Sequence, residues 1–248
     1  MRLRYHARSL RFDSRGCAGH VAEAARIVEL AVDRRPRERL LMAGPTCLTD
    51  AELLALVLRT GNGTADAVNL AHTLLDRFGG VLGVLSSTAE SLLAVRGLGD
   101  AKVAALLAIR ELLERAEIEK MKRAPVVSSS DEVRRYLGIH LAGKEREVFG
   151  ALLLDTRHRL LGVEDIFLGS IDRTMVYPRE VAKCCLRYNA AAVVLFHNHP
   201  SGSAEPSSSD RELTERLNSV LQEIDVRLLD HVVVAGLRKV SMAERGML

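Results

Sequence analysis

The chain has 248 residues, 48% of them hydrophobic and 27% charged, with a formal net charge of +3. That length admits one large domain or two small ones with real cores, and the charge is too small to imply nucleic acid by itself. Trp is absent and aromatic residues make up 4%, which argues against an aromatic stacking surface for single strands. Cys17, Cys47, Cys184 and Cys185 show no C-x-x-C spacing, so reduced thiols are expected rather than disulfides or a cysteine zinc site. No apolar run approaches membrane-spanning length and no secretory leader pattern is visible, so the expectation is a soluble, cytoplasmic protein with no membrane partner.

Three segments follow from composition. Residues 1–35 carry an Arg-rich arm (Arg2, Arg4, Arg8, Arg11, Arg15) and a helical run over 21–31. The arm reads by default as a flexible basic tail, and more sharply as a phosphate-contacting one. Residues 36–123 read as short helices with a weak internal repeat. Leu53–Leu58, Gly61-Asn62-Gly63 and a helix from Ala65 are echoed thirty-six residues later by Ser91–Val95, Gly97-Leu98-Gly99 and a helix from Asp100. The second copy resembles a helix-hairpin-helix motif. Its glycines permit a tight turn and expose N–H groups at a helix start, where a phosphate is favoured and Lys102 could add a charge-assisted contact. Gly97, Gly99 and Lys102 are therefore candidate DNA-backbone contacts, salt-sensitive and without base readout. A plain αα-hairpin is the competing reading, and in the first copy Asp66 stands where Lys102 stands in the second. The charged run from Glu111 to Arg123 reads as a solvated helix end.

Ala124-Pro125-Val126-Val127-Ser128-Ser129-Ser130 marks the boundary to the third segment, 124–248, which opens with a helix from Asp131. Glu145–Asp155 reads as a strand headed by Glu, and Leu160–Gly169 pairs back as a hairpin. Pro178 starts a helix holding Cys184 and Cys185. Val193-Val194-Leu195-Phe196 is a buried strand ending in His197-Asn198-His199, where alternation sends both imidazoles to the same side. Pro200-Ser201-Gly202 stops the strand. Ser207, Ser208 or Ser209 could cap the following helix, with Asp210 in its first turn able to fold back on the histidines. Leu228–Val234 is a further strand, and the tail from Ser241 offers little.

Two imidazoles and one carboxylate, with room for a water, suit a catalytic zinc shell with an open fourth position. The bland reading is two histidines closing a strand beside an Asp. A consecutive His-Asn-His also evokes HNH nucleases, but that name refers to residues dispersed over a ββα element, so it is discounted.

His197-Asn198-His199-Pro200-Ser201-Gly202 with Ser207 and Asp210 resembles the JAMM metalloprotease signature, His-x-His-x7-Ser-x2-Asp. The form His-Asn-His-Pro-Ser-Gly, with Pro206-Ser207 and Asp230-His231, resembles the bacterial RadC family, and Pro36–Leu41 is similar to that family's N-terminal segment. The resemblance implies an α/β (α+β) fold: a helix-hairpin-helix-like N-terminal domain followed by a JAMM/MPN, cytidine deaminase-like domain. It implies one zinc per chain, with manganese as the alternative, held by His197, His199 and Asp210. Glu147, in Glu147-Val148-Phe149-Gly150, matches the family's Glu-x-x-Gly and becomes the general base, with Glu145, Glu164 and Glu180 as rivals. Ser207 becomes the oxyanion donor, with a helix N-cap as its plain alternative. Asp230-His231 reads as support for the site or sheet. The implied function is a zinc-dependent hydrolase of metallopeptidase type, acting on a protein or peptide and linked to DNA repair. The alternatives are a metal-dependent nuclease and a non-catalytic DNA-binding adaptor. A homo-oligomer is compatible with all three.

Overall fold

The computed structural model describes residues 31–62, 65–123, 125, 130–169 and 176–248. The basic arm, all but the last residue of the helix expected over 21–31, and Gly63 of the first turn lie outside them.

In the helical half, α1 (Pro36–Ala43) precedes α2 (Asp50–Leu58) and α3 (Ala67–Phe78). Thr49 starts α2 with a capping box: its hydroxyl accepts from Glu52 N, and Glu52 reaches back to Thr49 N at 2.9 Å. Asp66, the expected counterpart of Lys102, is instead the N-cap of α3 and accepts from Asn69 N. Ala51, Leu54, Ala55 and Leu58 pack on Ala67, Leu70, Ala71 and Leu74, each set falling on one helical stripe. Two short helices, α4 (Val81–Ser86) and α5 (Ala89–Leu93), close this core; α4 had no counterpart in the sequence reading.

The charged run is the end of one 24-residue helix, α6 (Asp100–Arg123), about 36 Å long at 1.5 Å per residue. Its first turns give Val103 and Leu106 to the helical core, while Ile118 and Met121 pack against the sheet. The two cores therefore share a helix, and the linker after Arg123 does not separate their packing. α7 (Ser130–His140) follows.

The sheet has the order β2-β1-β3-β4-β5, from β1 (Val148–Leu154), β2 (Leu160–Leu168), β3 (Ala192–Asn198), β4 (Arg227–Ala235) and β5 (Arg238–Ser241). The first strand begins at Val148 rather than Glu145, and β5 lies in a stretch to which no element had been assigned. All neighbours are antiparallel except β3 and β4, which are parallel and joined through α9 (Ser208–Gln222). β1 and β3 are buried along their whole length because both sheet faces are covered, which explains their continuous apolar sequence. Phe149, Ala151, Leu153, Val193 and Leu195 face α9 and α8 (Pro178–Arg187). Val148, Leu152, Leu154, Val194 and Phe196 face α6 and α7. The architecture is thus α/β, with helices on both faces of the sheet and a helical region ahead of it. Among the described residues, no helix is long and apolar enough to cross a membrane.

Candidate metal centre

Strand alternation decides what each residue at the end of β3 can do. His197 lies on the α9 face of the sheet, and Asn198 on the other. His197 is opposite Phe149 in the β1 pairing, so the residue ahead of β1, Glu147, sits beside the end of β3. The chain leaves β3 at His199, whose N–H bonds to Val234 O at 2.8 Å, and turns through Gly202 into α9.

Ser207 caps α9. Its hydroxyl oxygen accepts from Asp210 N at 3.1 Å, and Asp210 Oδ2 accepts from both Ser207 N and Ser207 Oγ at 2.7 Å. This reciprocal capping box turns the Asp210 carboxylate back toward the strand end. Asp210 Oδ1 lies 3.4 Å from His197 Nε2, Oδ2 lies 3.5 Å from His199 Nε2, and the two Nε2 atoms are 2.9 Å apart. Glu147, His197 and His199 offer donor atoms that all lie within 4.8 Å of one another, a grouping able to hold a metal ion. All five residues expected at the metal site are therefore in one place. Ser207 occupies the N-cap geometry that was its plain alternative.

The local electrostatics follow from these contacts. Burial would raise the Asp210 carboxyl, but its bonds to His197, His199 and Ser207 outweigh that and hold it well below the usual carboxylate range. His199 is pushed up chiefly by Asp210, against the effect of burial. Its Nδ1 lies 2.7 Å from Ser203 O, a group that only accepts; Nδ1 therefore carries the proton and the neutral ring keeps its lone pair at Nε2.

Fit to a metal can be judged from the donor set. For zinc with nitrogen and oxygen ligands near 2.1 Å in a tetrahedron, neighbouring donors stand roughly 3.4 Å apart. The observed edges of 2.9, 3.4 and 3.5 Å bracket that value. Two neutral imidazoles and an ionised carboxylate also match the ion's preference for N and O ligands. The residues fit.

Three supporting groups surround this cluster, two of which the sequence reading passed over. Asn198 Oδ1 accepts from Val148 N at 2.7 Å, and its Nδ2 donates to the carbonyls of Arg146 (3.1 Å) and Lys144 (3.3 Å), fixing the segment that carries Glu147. Alternation gives the signal: an amide between two same-facing histidines must face the other way. His231, read as a supporting residue, is fully buried with Nε2 at 2.8 Å from His197 Nδ1. Burial, with His197 next, drives its pKa well below the ordinary histidine value. Thr214 Oγ1 lies 2.6 Å from His231 Nδ1, and nothing in its sequence context singles it out. The glycine of Glu-x-x-Gly has a packing reason, since a Cβ on Gly150 would lie 2.3 Å from the Phe196 ring and 2.5 Å from Glu164 O.

The other candidate motif behaves differently. Gly97 has φ +102°, and a Cβ there would meet the Asn62 side chain at 2.3 Å. Gly99 has no such crowding. Lys102 Nζ donates to Gly61 O at 2.7 Å and Gly97 O at 2.8 Å, so two of its three N–H bonds tie the two glycine turns together.

Comparison with known proteins agrees with this architecture. Residues 127–247 match the family model described as RadC-like JAB domain, and residues 27–104 match the model UPF0758 N-terminal. The central and C-terminal turns of α6 fall between the two. A UPF0758 protein of Methylibium petroleiphilum is 51% identical over 220 residues, covering 89% of this chain and 99% of its own. UPF0758 proteins of a Polaromonas species and of Halorhodospira halophila are each 50% identical, over 89% and 87% of this chain and 98% and 96% of theirs. With a helical region and a five-stranded α/β unit matching in order along most of its length, this chain belongs to the UPF0758 family of proteins with a RadC-like JAB domain.

Proposed function

We propose that the chain is a zinc-dependent hydrolase of metallopeptidase type, with His197, His199 and Asp210 as metal ligands. The observation that carries this reading is the convergence of two imidazole Nε2 atoms and a carboxylate at metal-ligand spacing, with a second carboxylate, Glu147, beside them. Zinc bound there supplies Lewis acidity and brings the pKa of a coordinated water to about 7.

The chain's own residues do the rest. Glu147, held by the Asn198 clamp, takes the proton of the attacking water and returns it to the leaving amine. Ser207 orients Asp210 through the capping box and offers its hydroxyl to the oxyanion of the amide under attack. Manganese suits the same N and O donors and is the alternative ion. The helical half is proposed to contact DNA backbone around Gly97 and Gly99, which gives a physical basis for a link to DNA repair. The free thiols Cys47, Cys184 and Cys185 accord with a cytoplasmic setting.

The test compares metal content and hydrolysis in the wild type and Glu147→Gln, using a peptide library and, separately, single- and double-stranded DNA. One zinc in both proteins, with peptide cleavage in the wild type alone, supports the proposal. Cleavage of DNA alone, lost in the variant, replaces it with a phosphodiesterase. Zinc lost in Glu147→Gln would make Glu147 a ligand rather than the base.

A further inference from the structure

We infer that Thr214 and His231 are positioning residues for the metal, acting through a one-way chain of hydrogen bonds that leaves the lone pair of His197 on the Nε2 atom facing Asp210 and His199. The inference rests on the metal reading above.

The chain of bonds has a direction because a hydroxyl has one proton. Thr214 Oγ1 lies 2.5 Å from Asp210 O, one helical turn back on α9, and a carbonyl can only accept. With its proton given to that carbonyl, the hydroxyl meets His231 Nδ1, 2.6 Å away, as an acceptor. His231 Nδ1 therefore carries the ring proton, and its Nε2 is left as an acceptor 2.8 Å from His197 Nδ1. His197 then holds its proton on Nδ1 and its lone pair on Nε2. Reversed, with Thr214 donating to His231, the same geometry would put a proton on His197 Nε2 and block it as a ligand. The ring orientation is fixed as well: His231 is fully buried and stands edge-on to Phe149, while His197 stacks on that same ring. The partner that orients one metal histidine is thus a neutral imidazole backed by a threonine, whereas the other, His199, uses the Ser203 carbonyl. Asp210 belongs to the same assembly, since its carbonyl receives the Thr214 proton and its carboxylate faces the metal position.

The direction is read from the ring-nitrogen chemical shifts of His197 and His231 in ¹⁵N-labelled, metal-free protein, and from zinc affinity in competition with a chromogenic chelator. Both rings of the wild type should be Nδ1–H tautomers. In Thr214→Val, which keeps the shape and removes the acceptor, His231 should move its proton to Nε2, and zinc affinity should fall about 10- to 100-fold. Thr214→Ser should restore both, and a thermal melt of each metal-free variant checks that packing is retained. An Nε2–H tautomer for His231 in the wild type overturns the inference whatever the variants do. Wild-type affinity and tautomers in Thr214→Val overturn it too. A wild type that takes up no zinc removes the hydrolase reading instead, a failure the affinity of the unmodified protein reveals first.

Discussion

Each half of the molecule carries a short motif that places basic nitrogens at a turn, and the fold treats those nitrogens in opposite ways. In the helical half, Lys102 turns inward and bonds to the carbonyls of Gly61 and Gly97, so most of its donor capacity holds one turn against the other. At the end of β3, the two histidine Nε2 atoms point at each other across 2.9 Å, with a carboxylate 3.4 and 3.5 Å away, and their outer nitrogens are anchored to His231 and Ser203. Protein groups satisfy the lysine. The histidines are oriented from behind while their inner lone pairs converge, an arrangement that favours a cation between them. Residue type alone does not distinguish a structural motif from a chemical one; the direction in which the polar atoms are left facing does.

The largest effects should come from the converging site. His197→Ala removes a ligand, so zinc content and peptide hydrolysis should both be lost in metal analysis and assay. Glu147→Gln should keep zinc while hydrolysis falls about a hundred- to ten-thousand-fold, the usual range for removing a general base. A Glu147→Gln protein with unimpaired turnover would reduce this cluster to a structural site and erase the contrast with Lys102.

Much of that contrast was legible before any coordinates. His-x-His on an apolar run fixes two imidazoles on one side of a strand, and Ser-x-x-Asp ahead of a polar-apolar periodic stretch is a helix start. Together they place the metal ligands from local rules. Less legible was whatever depends on contacts distant in sequence. Thr214 gains its role only because α9 lies against β4, and Lys102 turns inward because the Gly61 carbonyl is brought to it by the packing of two hairpins. Helix α6 has a weakly periodic, heavily charged sequence because its two ends bury different faces against different cores.

A third basic group, His140, occupies that shared seam and sharpens the comparison. It bridges Asp165 at 2.7 Å and Glu114 at 3.4 Å, joining α7, β2 and α6. Burial opposes its protonation, but the two carboxylates prevail and raise it to about 9, while their own carboxyls are held below the usual range. A pKa higher in the folded than in the unfolded chain stabilises fully below about pH 6.5, and that stabilisation disappears as pH rises through about 9, up to about 3 kcal/mol in all. Denaturant unfolding from pH 6 to 9.5 should show the wild type losing its advantage over His140→Gln across that window. A difference between the two that stays constant with pH would mean the seam is held by packing rather than charge.

The glycine turns give smaller effects. Gly97→Ala combines a positive φ with a 2.3 Å approach to Asn62 and should cost about 1–3 kcal/mol, against about 0.5 kcal/mol for Gly99→Ala, where a Cβ meets nothing. Equal costs in thermal melts would mean that the two turns do not press on each other as described.

Lys102→Met tests the comparison where it is most exposed. Removing the ammonium leaves two turn carbonyls without their donor, but the group is only partly buried, so water can replace some of the loss and the cost should be about 1 kcal/mol. If the lysine acts chiefly as a clamp, DNA affinity at low salt should change by less than about threefold, with the salt slope reduced by well under one. If stability is unchanged while DNA affinity falls tenfold and the slope drops by about one, the third N–H is the important one. Lys102 would then be a phosphate contact that the fold pre-orients, and the helical motif would share with the histidines the property of being held from behind to face a ligand.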